Sequence, residues 1–365
     1  MYLMLNCEKM YYNKQDAIMT QGLAVLSMVV LHLFCRKGAD VYGTPLVWLN
    51  ETTPFVYWFG FFSEICVSLY SICAGYAQEL ISEREFSSGA IMIWKKNLHR
   101  AWKLMKNYWV VLCLFCGIGL ILDPYGTIPG SFDRFFKSIF LLYSYNGAWW
   151  YLNTYVILML IPMKLILYPV RKMKIKTGLI FSVGMGMLWY ALGRFGMIPT
   201  VSSDHSILSF ILKEIVNLIG ILPPFFAGAF LCKGKCIERC DQWLTGHYPP
   251  SKRNTRLLSA LLLLFISFNL LGKAMFTLVV AILTFLAFNL LYKPTVLKSI
   301  FTLLGKHSTN IWLTHMFFYL CEPFTGLVQK AQYPLFMLLF MLLLCILTSY
   351  IVDFILNKKW YTIIK

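Results

Sequence analysis

The stretch AIMTQGLAVLSMVVLHLFC, residues 17–35, decides the fold. It contains no Asp, Glu, Lys or Arg. As a helix it rises about 28 Å, enough to cross the roughly 30 Å hydrocarbon core of a bilayer. A helix of that length on a soluble protein would keep a charged face toward water, and this one has none. It is not read as a cleaved signal peptide, because no small-residue cleavage site follows it and further apolar runs do.

Those further runs fill the chain. Spans are expected at 17–35, 55–80, 107–122, 148–168, 176–196, 206–231, 257–271, 274–292, 299–321 and 334–356. The 365 residues are 59% hydrophobic and 13% charged, against about 25% charged in ordinary soluble domains. The expected fold is all-α: a polytopic transmembrane helix bundle of about ten spans, forming one membrane domain over 1–365 with no soluble domain appended.

Basic residues orient the bundle. With both termini cytoplasmic, the inside segments hold 23 of the 33 Lys and Arg. These include Lys9 and Lys14, six from Arg84 to Lys106, four from Arg171 to Lys176, six from Lys233 to Arg256, and Lys293, Lys298, Lys358, Lys359 and Lys365. Only Arg36, Lys37, Arg134, Lys137, Arg194, Lys273 and Lys330 fall outside. The net charge of +17 thus belongs to short loops between apolar helices. That distribution gives no reason to expect a nucleic-acid partner, which would need the cations gathered on one face. Cys232, Cys236 and Cys240 lie at four-residue spacing, but no histidine or fourth cysteine completes a zinc pattern, so no metal is expected. The outside segment 123–147 holds a turn, Asp123-Pro124-Tyr125-Gly126, and then 132–140, an amphipathic stretch suited to the interface.

Ionisable residues at membrane depth are functional candidates by default. His32 lies in the outer half of the first span. His315, in Ile311-Trp312-Leu313-Thr314-His315, is expected about 24 Å up span nine, at similar depth. Glu64 lies about 14 Å down span two, with Ser68, Ser71 and Gly75 following at helical spacing. Lys213 and Glu214 enter span six, paired with neighbours or reaching to the interface. Together these describe an outward-facing polar cavity with two histidines and a carboxylate, where a neutral histidine can act as a general base. On the cytoplasmic side Arg100, Lys103 and Lys106 share one face of a helix. That face suits the phosphates of a nucleotide-like donor or anionic membrane lipid.

Several motifs run in a familiar order. They are Gln21-Gly22-Leu23-Ala24-Val25-Leu26 with His32 eleven positions on, Val67 to Leu69 with Ala74-Gly75-Tyr76, and Arg100-Ala101-Trp102-Lys103-Leu104 before Tyr108-Trp109. Trp150-Tyr151-Leu152 and Gly305-Lys306-His307-Ser308 leading to Ile311–His315 complete the set. Over most of the chain this resembles membrane-bound acyltransferase family 3, which includes bacterial O-acetyltransferases of surface polysaccharides. The resemblance implies a multi-pass protein of the bacterial cytoplasmic membrane. It implies transfer of an acyl group, usually acetyl, from acetyl-CoA or another acyl-CoA as co-substrate, with no tightly bound cofactor. The acceptor would be a hydroxyl of a glycan or lipid-linked sugar. His32 carries over as the catalytic histidine, with Glu64 and His315 as further catalytic candidates. Arg100 and Lys103 carry over as the donor-side basic pair, with Gln21 as a further donor-binding candidate. Trp150, Asn153, Ser68, Ser308 and Trp312 are expected to line the substrate cavity, and His315, Asn153 or the Trp150 indole to meet the oxyanion. Three positions depart from the pattern. Gln21 stands where the family has a cation, Ala74 where it has serine, and Asn107 where it has proline. A transporter or flippase of a sugar or lipid would also use a polar cavity, but no internal repeat supports that reading.

Overall fold

The computed structural model describes residues 12–35, 42–84, 90–197, 207–272, 274–321, 323–324 and 326–357. Both chain ends lie outside these, as do Lys9, Arg36, Lys37, Lys273, Lys358, Lys359 and Lys365, on which part of the expected orientation rests. The described residues are mostly helical, with no strand among them.

Helix α1 (Lys14–Phe34) opens on a capping box, in which the Asn13 side chain accepts from the Asp16 N–H and Asp16 accepts from the Asn13 N–H. Helix α2 (Val56–Phe62) continues through a 3₁₀ turn, Ser63–Ile65, into α3 (Cys66–Arg84). Helix α4 (Ala90–Leu122) is about 50 Å long, so the basic residues 95–106 stand on the same continuous helix as the expected span. The amphipathic stretch forms α5 (Phe132–Ile139), capped by Ser131. Helix α6 (Trp150–Leu160) is followed by short α7 (Met163–Ile166) and α8 (Tyr168–Lys172), then by α9 (Ile175–Arg194) and α10 (Ile207–Lys233). Helices α11 (Cys236–His247), α12 (Pro250–Leu271), α13 (Thr277–Leu290), α14 (Thr295–Lys306), α15 (Ser308–Leu320) and α16 (Pro334–Asn357) complete the chain.

Seven of the described helices are long and apolar enough to cross a membrane, and 274–290 makes a shorter apolar helix. The two remaining expected spans are broken. At 148–168, Pro162 cannot donate to the helix ladder, and α6 stops at Leu160. At 299–321 the break falls on His307, between α14 and α15. Just before it, α14 packs closely on α1. A β-carbon on Gly22 would overlap the Phe301 carbonyl oxygen, and one on Gly305 would overlap that of Ile18. The two glycines therefore let the backbones touch. Gln15, near the start of α1, donates to the Thr302 hydroxyl at 2.5 Å, and Tyr319 of α15 donates to the Leu33 carbonyl near the end of α1 at 3.4 Å, so α14 and then α15 follow α1 in the same direction. At His307 the helical hydrogen bonds continue, its N–H donating to the Leu303 carbonyl at 3.2 Å and the Ile311 N–H to its own carbonyl at 2.9 Å, so α15 follows α14 through a kink. His315 is the eighth residue of α15, about 10 Å past that kink.

The core lies where α3 crosses α10 and where α15 passes α1, α4 and α16. The α3–α10 crossing is again a glycine contact, with Gly75 against the Phe225 carbonyl and Gly228 against that of Ile72.

Candidate functional site

A cavity of about 580 Å³ opens at the end of the bundle where α1 begins. Its mouth carries Lys14 from α1, and Arg100 and Lys103 from α4. Among the described residues no Asp or Glu lines it. The Arg100 guanidinium donates to Asn97 Oδ1 at 3.1 Å, and Asn97, fully buried, also accepts from Gln78 Nε2 at 3.0 Å. A buried amide pair therefore fixes the guanidinium at the mouth. Deeper in, the walls lose their charge. Gln21, Ala74, Tyr155 and Ser308 line them, and the inner end is reached at Tyr70, Tyr151 and Trp312. These three rings stand 5.5–6.4 Å apart, centroid to centroid. Ser71 and Tyr151 hydroxyls meet at 3.2 Å.

Trp312 precedes His315 by three residues, about 4.5 Å of helix rise. His315 is 1% exposed, and its ring lies 5.1 Å from that of His32, centroid to centroid. The expected meeting of the two histidines therefore occurs, even though span nine is not one helix. His315 Nδ1 faces two backbone carbonyl oxygens, Trp312 at 2.9 Å and Ile311 at 3.2 Å. Carbonyls only accept, so Nδ1 carries the hydrogen and Nε2 presents a lone pair. That Nε2 has no hydrogen-bond partner among the described residues. Glu64 stands on the 3₁₀ turn that packs on α1, four residues past Gly60, which abuts the backbone of Phe34 and Cys35. It is thus near the same end of α1 as His32.

The chain between α5 and α6 holds α15 in place. Tyr108 donates to the Ser138 carbonyl at 2.6 Å and Trp109 to that of Ile139 at 2.9 Å, which ties α5 to α4. The chain then turns into the bundle. Asn146 Nδ2 and Trp149 Nε1 both donate to the Leu313 carbonyl, at 3.1 and 3.0 Å, and Trp312 Nε1 donates to that of Ala148 at 3.1 Å. Three bonds thus fix α15 within three residues of His315.

Of the expected site residues, Gln21, Arg100, Lys103, Ser308 and Trp312 share the one cavity. Ser68 and Trp150 line a different one, of about 290 Å³, with Asn217. Asn153 belongs to neither cavity lining. It donates to the Leu141 carbonyl at 3.2 Å and to Glu214 at 3.4 Å, and Thr154 donates to the other oxygen of Glu214 at 3.0 Å. Glu214, 4% exposed, is held by neutral side chains of α6, while Lys213 is exposed. Asn97, Gln78 and Asn146 carry no motif that marks them in the sequence. Lys14 counts there only as a topogenic charge. Its place seven residues before Gln21, two helical turns, was the available signal.

Cys236 and Cys240 lie on α11, where burial raises the pKa of both thiols. That disfavours the thiolate a metal would need.

Compared with known proteins, residues 19–354 match the family model of an acyltransferase domain. No curated protein and no solved structure matches the chain.

Proposed function

The chain belongs to the acyltransferase 3 family and is a multi-pass membrane acyltransferase, and on that premise we propose that it moves an acyl group, acetyl being the expected one, from a cytoplasmic acyl-CoA to a hydroxyl of a cell-envelope glycan or lipid-linked sugar. The observation that carries this reading is the order of chemistry along one cavity. Cations stand at the mouth, neutral walls follow, and the inner end lies one helical turn from a histidine pair. An acyl-CoA has the same order, with phosphates at one end, a neutral arm, and the thioester at the tip. The basic end is assigned to the cytoplasm of a bacterial cell membrane, where the donor is made.

In this reading Arg100 and Lys103 hold the donor phosphates through charge-assisted hydrogen bonds. His32 takes the proton of the acceptor hydroxyl. The oxygen attacks the thioester carbonyl, the C–S bond breaks, and the departing thiolate takes the proton from His32. The step releases no net proton. His315 spends its Nδ1–H on backbone carbonyls, so it acts as an acceptor that orients the His32 ring and not as the oxyanion donor.

The test is transfer of label from [¹⁴C]acetyl-CoA into the envelope glycan and lipid fractions by membranes containing the protein. His32→Ala is expected to reduce incorporation to background at an unchanged protein level in the membrane. Full incorporation by that variant refutes the proposal, and a sugar or lipid that crosses the membrane unmodified points to transport instead.

A further inference from the structure

Beside the mouth of the cavity lies a second recess of about 330 Å³, lined by Lys95, Lys96, His99 and Arg100. Arg100 lines both. The two recesses follow one another along α4, and Lys95 to Lys103 covers about 12 Å of helix rise. Among the described residues neither is lined by a carboxylate. The first is built from facing walls, Lys14 on α1 and Arg100 with Lys103 on α4. The described residues that line the second all stand on α4, farther from the aromatic end of the cavity. The guanidinium between them is held by Asn97, and its remaining N–H groups are free to serve an anion on either side.

One compact phosphate group needs only one such recess. Two cationic recesses sharing a fixed arginine fit a ligand that carries two separate anionic groups close together. The donor read above has that form, with a diphosphate on the 5′ carbon of a ribose and a monophosphate on its 3′ carbon. We infer that Lys14, Arg100 and Lys103 receive the diphosphate, and that Lys95, Lys96 and His99 form a separate seat for the 3′-phosphate, which makes the protein selective for CoA over its dephosphorylated form. The inference rests on the acyl-CoA reading and goes beyond it by assigning the second seat. The same chemistry would suit a lipid phosphate, so the experiment separates the two sources.

The full-length protein in nanodiscs of zwitterionic lipid is titrated with CoA and with 3′-dephospho-CoA, and acyl transfer is measured from the acetyl ester of each. A charge-assisted contact to one phosphate corresponds to about tenfold in affinity. Wild type is expected to bind CoA about tenfold more tightly than dephospho-CoA. Lys95→Gln/Lys96→Gln is expected to bind both as wild type binds dephospho-CoA, and Lys14→Gln to weaken both alike. The inference is overturned if wild type does not distinguish the two ligands, if it binds neither, or if the double variant keeps the preference. It is also overturned if the preference vanishes once the nanodisc carries anionic lipid, which would assign Lys95 and Lys96 to headgroups. Selective binding without acyl transfer leaves the second seat standing and removes the enzymatic reading. Equal transfer from both donors does the reverse.

Discussion

His315 offers the sharpest test of how the histidine pair works. Its Nδ1–H is bound to the carbonyls of Trp312 and Ile311, and its Nε2 lone pair is left beside the His32 ring. Asparagine places an amide N–H near the position of Nδ1, so His315→Asn keeps the backbone contact and removes the acceptor. Glutamine reaches to the position of Nε2 and returns an acceptor there. Losing one hydrogen bond to a neutral acceptor in a dry site costs about 1–3 kcal/mol, or roughly 5–150-fold in rate. His315→Asn should therefore lower kcat by that factor, leave KM for the donor unchanged, and leave the melting temperature of the detergent-solubilised protein near that of wild type. His315→Gln should recover part of kcat. The donor KM is the internal control, because the cationic mouth lies at the far end of the cavity. Steady-state acetyl transfer at saturating acceptor measures both constants. An Asn variant with wild-type kcat refutes the orienting role. So does a variant in which kcat, donor KM and thermal stability all fall together, since that pattern marks a collapsed core.

Other outcomes follow from packing and charge. Gly305→Ala should destabilise the protein by about 1–3 kcal/mol through overpacking, because the new methyl would meet the Ile18 carbonyl, and unchanged thermal unfolding would argue against the α1–α14 contact. Lys293, 7% exposed between α13 and α14, has its pKa lowered to about 8 by burial, with Lys298 adding to the shift and Asp16 opposing it. The folded state then binds fewer protons than the unfolded one from about pH 8 up to the ordinary lysine value near 10.4, so stability should rise with pH across that window. Lys293→Met should be the more stable protein at pH 7 and should lose that slope, and thermal unfolding at several pH values checks both signs.

Much of the bundle was legible because crossing a membrane demands long, uncharged runs, and α1, α10 and α16 announce themselves that way. The junction at His307 was not. The run 299–321 is apolar on both sides of it, and no proline within it marks the kink. The stop after α6 was written in Pro162, but an apolar window outweighs one residue. At the site, helical spacing correctly set Arg100 and Lys103 on one face. It could not say that Ser68 and Ser308 face different cavities, because a polar stripe names the face of a helix and not the neighbour it meets. The support of Arg100 was equally hidden, since Gln78 and Asn97 are joined only where α3 and α4 pack.

The uncharged Gln21 takes on a different meaning once the cavity is in view. It sits on the wall about 10 Å along α1 from Lys14 and about 16 Å from His32. A cation there would carry positive charge into a section whose other lining groups are neutral, and its desolvation would have to be met by a bound anion. With glutamine, the charged part of the wall ends at Lys14, Arg100 and Lys103. A polyanionic ligand is then held at the mouth, and only a neutral extension is favoured farther in. About 27 Å of α1 separates Lys14 from His32. A molecule that binds by its charges and reacts at the histidines must therefore keep the two far apart on a long neutral arm. That requirement admits a thioester on an extended arm and disfavours small anionic acyl donors such as acetyl phosphate, whose reactive carbon adjoins the charge.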